Sequence, residues 1–98
     1  MKTLLETVLE TIRARRDDIE ARYGIRLLGV VGSVARGEDC ADSDVDITYK
    51  VTGSTTLFKL SEVGFQLEDA LGRSVDLVDP DAMRKEASDY LQRDLVLA

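Results

Sequence analysis

Histidine is absent from this 98-residue chain. Its absence excludes Ser–His–Asp and Cys–His catalysis and the usual zinc sites, so any site chemistry falls to carboxylates. Cysteine occurs once, as Cys40, and no internal disulfide can form. Its neighbours Asp39 and Asp42 are expected to raise the thiol pKa and leave it unreactive. Net positive charge is also missing. At −6, the chain has no general attraction for a phosphate backbone. Arg13, Arg15 and Arg16 are the nearest approach to a basic cluster and read as ordinary solvent-facing charge. No apolar run reaches the length of a membrane span. Met1-Lys2 leads into an acid-bearing amphipathic segment rather than a signal-peptide core, so a reducing cytoplasm is the expected location.

What remains is ordinary in bulk, with 44% hydrophobic and 33% charged residues. The length suits one domain spanning 1–98, with room for a catalytic core and little for a separate acceptor-binding unit.

Apolar residues at helical spacing (Leu5, Val8 or Leu9, Ile12, Ile19, Tyr23) predict an amphipathic helix from residue 2 to about 22, with Gly24 as its stop. Leu27 to Val31 is a continuous apolar run, expected as a strand buried on both faces. Val34-Ala35-Arg36 can form a short helix closed by Gly37, and the acidic residues 38–43 read as loop. From Asp44 the pattern alternates strictly. Val45, Ile47, Tyr49 and Val51 face one side, while Asp44, Asp46 and Thr48 face the other. Gly53 to Thr56 is turn and cap material, followed by a second long helix carrying Leu57, Leu60, Gly64, Leu67 and Leu71 and stopped near Gly72. Ser74 to Val78 reads as a third strand. Pro80 suits the first turn of a closing helix carrying Met83, Ala87, Tyr90 and Leu91. The expected fold is α/β (α+β), one small mixed sheet flanked by helices.

Five acids crowd into nine residues: Glu38, Asp39, Asp42, Asp44 and Asp46, with Arg36 the only nearby cation. Acid-rich loops are usually just solvated, and Glu38, Asp39 and Asp42 read that way. Asp44 and Asp46 differ, because two residues apart on a strand their side chains leave the same face about 6–7 Å apart. Like charges so close repel unless something offsets them, and a hard divalent cation such as Mg²⁺ does so with oxygen ligands. Asp76 stands opposite its neighbours Val75 and Leu77 on the third strand, where pairing can bring it beside Asp44 and Asp46. Three carboxylates from two strands suit a site with two Mg²⁺ ions for phosphoryl transfer. Gly32-Ser33, just ahead, lets backbone N–H groups approach a phosphate, and the Ser33 hydroxyl can donate to it. Arg36, one turn on, can reach triphosphate oxygens as a planar fork.

Two other motifs fail. Gly32 to Gly37 matches half a P-loop, but Glu38 stands where the phosphate-binding lysine belongs. Asp42 to Asp46 begins like an EF-hand loop, but Ile47 replaces its glycine and Gly53 its bidentate glutamate.

The run Gly32-Ser33-Val34-Ala35-Arg36-Gly37-Glu38, followed by Ser43-Asp44-Val45-Asp46-Ile47, closely resembles the signature of the minimal nucleotidyltransferases of the DNA polymerase β-like superfamily. Leu71 to Val78 resembles their third-carboxylate strand. The resemblance implies a nucleotidyltransferase fold using ATP and Mg²⁺, with Asp44, Asp46 and Asp76 as metal-binding and catalytic residues and Gly32, Ser33 and Arg36 holding the nucleotide. Many small members look like antitoxins that transfer AMP to a tyrosine of a HEPN-domain toxin, which would make such a toxin the partner here. Two alternatives stay open: an antitoxin that acts by occlusion alone, and a transferase for a small acceptor of aminoglycoside type.

Overall fold

A computed structural model describes all residues from Met1 to Ala98. Helix α1 (Leu4–Tyr23) starts at Thr3, whose hydroxyl accepts from the Glu6 N–H, and ends at Gly24 with φ 71°. That left-handed backbone is one that glycine adopts without steric cost. Strand β1 (Ile25–Val31) runs straight into the short helix α2 (Gly32–Arg36), closed by Gly37. Strand β2 (Val45–Val51) follows the acidic loop. Helix α3 (Leu57–Leu71) is capped by the Thr56 hydroxyl, which accepts from the Lys59 N–H, and stops at Gly72. Strand β3 (Val75–Val78) completes the pattern expected from sequence.

The sheet order is β3-β2-β1-β4, with β4 at Val96–Leu97. Strands β1 and β2 are antiparallel, β2 and β3 parallel. Ile47 pairs with both Val30 and Leu77, and Asp46 with both Val31 and Asp76. Paired residues share a face. A register shift between Leu27 and Gly29 puts Ile25, Leu27 and Val30 all on the face of Tyr49 and Ile47. The core lies there, closed by Val8, Ile12 and Ile19 from α1 and by Val63 and Leu67 from α3, all buried. The bulge explains why β1 reads as continuously apolar although one face dominates its packing. The polar face of β2 and β3 is left to the carboxylates.

Three expectations change. The closing helix is not continuous from Pro80. Pro80–Ala82 is a 3₁₀ turn, Met83 and Arg84 are extended, and α4 covers only Lys85–Gln92. The Asp79 carboxylate accepts from the Asp81 N–H, which fixes the tight turn and lets the chain leave it before the helix begins. Strand β4 has no sequence pattern of its own, being two residues long. The Ala98 N–H donates to the Leu28 carbonyl, tying the end of the chain to β1. Thr48 is fully buried and donates to the Gly29 carbonyl, so the open polar face extends only over the Asp44–Asp46 end of β2.

Candidate active site

The Gly-Ser turn and the acidic strand are in direct contact. Gly32 follows β1 with φ 78°, and a methyl group there would stand 2.5 Å from Asp46 Oδ2. Glycine is required twice at this position, once for the backbone and once for the space the carboxylate takes. No side chain caps the start of α2, which leaves its first N–H groups without a side-chain partner, and Ser33 among them is half-buried.

Asp46 is half-buried between this turn and Asp76, its direct partner on β3. Burial pushes its carboxyl pKa up, and the negative charges of Asp76 and then Asp44 push it further. The repulsion is the electrostatic mark of three acids sharing one neighbourhood. Asp44 and Asp76 are both exposed. No three acidic side chains already stand at metal-ligand spacing, so the trio faces one side without closing into a ligand set. All-oxygen donors with mutual repulsion fit a hard divalent cation such as Mg²⁺, whose charge would offset what raises the Asp46 pKa. Asp44, Asp46, Asp76, Gly32 and Ser33 thus come together.

Arg36 is turned to other partners. Its Nε donates to Glu38 Oε2 and its Nη1 to Asp94 Oδ2, both at 2.9 Å, the latter joining α2 to the segment before β4. Its hydrogen bonds to Glu38 and then to Asp94 raise its pKa. Glu38, read from sequence as solvated charge, is therefore a partner of Arg36.

Sequence reasoning passes over Arg73. Its Nη1 donates to the carbonyls of Cys40 at 2.9 Å and Ser43 at 3.2 Å. One guanidinium just ahead of the Asp76 strand thus clamps the loop that delivers Asp44. The only sequence signal is an arginine in the turn before a carboxylate-bearing strand. Supporting contacts around metal-binding carboxylates typically change affinity about 10–100-fold. Arg73→Ala should therefore raise the Mg²⁺ concentration for half-saturation of these carboxylates by about tenfold. A Mg²⁺-binding titration checks this, and an unchanged midpoint would reduce the clamp to loop packing.

Cys40 reverses its expectation. The thiol lies 3.4 Å from the Ser43 hydroxyl, whose hydrogen bond lowers its pKa, helped by the Asp42 backbone. Local hydrogen bonding sets the direction. The Ser43 hydroxyl also accepts from the Cys40 N–H, which makes it part of the turn.

Comparison with known proteins finds relatives that match most of the chain. A family model described as Polymerase beta, Nucleotidyltransferase matches residues 16–96. Protein adenylyltransferase MntA of Thermococcus cleftensis is 35% identical over 92 residues, covering 94% of this chain and 93% of that protein. A solved structure provisionally described as a minimal nucleotidyltransferase is similar at 35% identity with a TM-score of 0.70, covering 90% of this chain and 93% of the other. A toxin–antitoxin crystal structure with AMP-PNP is similar at 25% identity with a TM-score of 0.63, covering 82% of this chain and 62% of the other.

Proposed function

The chain belongs to the polymerase beta nucleotidyltransferase family, and from that premise we propose that it transfers AMP from ATP to a tyrosine hydroxyl of a partner protein. The single observation that carries this reading is the Asp46 carboxylate held between the glycine turn and Asp76. In the reaction the acceptor oxygen forms a bond to the α-phosphorus and the bond to pyrophosphate breaks. Gly32 and Ser33 hold the triphosphate through a backbone N–H and the serine hydroxyl. Asp44, Asp46 and Asp76 would hold Mg²⁺, which supplies charge neutralisation of the triphosphate and the leaving pyrophosphate. Asp76, exposed at the sheet edge, takes the acceptor proton on the carboxylate oxygen that does not face the ion. Arg36 reaches the triphosphate after exchanging Glu38 or Asp94 for it.

The partner is a HEPN-type toxin and the chain its antitoxin, working in the cytoplasm as a single domain. The toxin–antitoxin likeness supports a toxin as partner, and the name of the Thermococcus relative supports adenylyl transfer to a protein. No helix is long and apolar enough to cross a membrane. The test is incubation with ATP, Mg²⁺ and the protein encoded in the adjacent reading frame, followed by intact-mass measurement. The partner should gain one or more adenylyl groups, on tyrosine, only when Mg²⁺ is present. A partner that binds but never gains that mass contradicts the reading and favours silencing by occlusion.

A further inference from the structure

A groove of about 380 Å³ lies between α3 and β3, lined mainly by Tyr49, Leu60, Gly64, Phe65, Val75 and Leu77. Its rim carries two large apolar side chains in water, Leu57 at 83% exposure and Phe65 at 69%, with Phe58 at 73% on the same helix. Apolar groups clustered this way mark interaction surfaces more often than scattered ones do. The other exposed apolar side chains, such as Met83 and Tyr90, lie away from this groove.

Gly64 is the independent observation. A glycine inside a helix weakens it relative to alanine. Most helix glycines have an internal reason, such as close packing of a neighbour. Here a Cβ would meet nothing within 4 Å, and α3 runs past Gly64 without a break. Nothing inside the protein uses the missing side chain. The bare backbone, beside the small Ser61, instead opens the wall of the groove to something from outside.

Charge and position choose the occupant. No lysine or arginine lines the groove, whereas Glu68 does, with its carboxylate accepting from the Val75 N–H at 3.0 Å. Two copies paired here would bring their Glu68 side chains together, each on a chain of net charge −6. The groove also shares β3 with Asp76. Val75 and Leu77 line it from one face of the edge strand, while Asp76 leaves the other face. A protein seated in the groove is therefore one strand's thickness from the reacting centre. We propose that this groove docks the acceptor protein through an amphipathic segment, with one large apolar side chain over Gly64 and lysine or arginine flanking it against Glu68. The inference rests on the adenylyl-transfer reading and adds where the acceptor is gripped.

The experiment uses the full chain, the protein of the adjacent reading frame as probe, and the variants Gly64→Leu, Phe65→Asp and Asp46→Asn. Phe65 is exposed and Gly64 faces open space, so both groove variants keep the fold, which thermal melting verifies. Binding measured by calorimetry should weaken at least tenfold for Gly64→Leu and Phe65→Asp, while their affinity for MgATP stays that of wild type. Asp46→Asn should bind the partner normally and transfer nothing. Groove variants that bind the partner within twofold of wild type overturn the groove and leave the transfer reading standing. Wild type that binds through the groove without transferring AMP overturns the transfer reading alone. Failure of wild type to bind the probe overturns this occupant. Self-association that the groove variants abolish does so in favour of a second copy.

Discussion

Asp46→Asn should melt at a higher temperature than wild type in metal-free buffer at pH 7, and it should lose nucleotide transfer by at least about 10³-fold, the scale of several kcal/mol of charge stabilisation removed from the reacting centre. The two effects share one cause. Burial and the charges of Asp76 and Asp44 raise the folded-state pKa of Asp46 above its unfolded value. A carboxyl shifted this way favours the folded state while protonated. That contribution is fully present below the unfolded pKa and is lost as pH rises through the folded pKa. At neutral pH the ionised Asp46 therefore costs stability, and a neutral isostere removes the cost. The expected gain shrinks towards zero as the pH falls below the ordinary aspartate value. Adding Mg²⁺ and ATP inverts the order, because ligands that bind only the folded wild type stabilise it by mass action. Calorimetric melts at pH 7 and at pH 3.5, with and without MgATP, check each part. A variant that melts lower than wild type at pH 7 would mean that Asp46 makes a stabilising contact instead.

Gly32→Ala should be nearly as damaging to transfer, by a different route. The added methyl must sit on a backbone with φ 78°, and it would point at Asp46 Oδ2 from 2.5 Å. The backbone alone costs about 1–3 kcal/mol for a residue with a Cβ. The carboxylate must also swing away from the turn, separating the two halves of the site. Gly37 supplies the control. Its φ is 72°, and a methyl there would meet nothing within 4 Å. Gly37→Ala should lose stability on the same scale yet keep wild-type affinity for ATP, whereas Gly32→Ala should lose about 10²-fold or more, the scale of one misplaced group in a tuned site. Nucleotide titrations of both variants, with their denaturation midpoints, separate strain from site damage. Equal losses of ATP affinity would show that only the turn conformation matters.

The readable parts of this chain were those in which local chemistry decides the outcome. Gly24, Gly37 and Gly72 end their helices in left-handed conformations because few other residues do so easily. The alternation from Asp44 to Tyr49 set which face of β2 meets the core, and the register then put Asp76 beside Asp46. What could not be read depends on long-range approach. Strand β4 is two residues added to the edge of β1, and its only trace is Gly29, a glycine inside an apolar strand where another backbone comes close. Thr48 alternates correctly but is buried by contacts that alternation does not describe. Arg36 finds Asp94 across 58 residues of chain, and Arg73 finds the Cys40–Ser43 loop only because two turns meet in space. Pro80 signalled a helix start, but the helix it starts is a single tight turn, since Met83 and Arg84 leave it extended.

The central claim is that two strands and a glycine turn build one site for a metal and a triphosphate. Paramagnetic broadening by Mn²⁺, added with a non-hydrolysable ATP analogue to isotope-labelled protein, tests it without any partner. The account expects the amide signals of Ser33, Asp44, Asp46 and Asp76 to fade first and together, and those of α1 to persist. Broadening spread over the acids of residues 38–42, with Asp76 and Ser33 untouched, would contradict it.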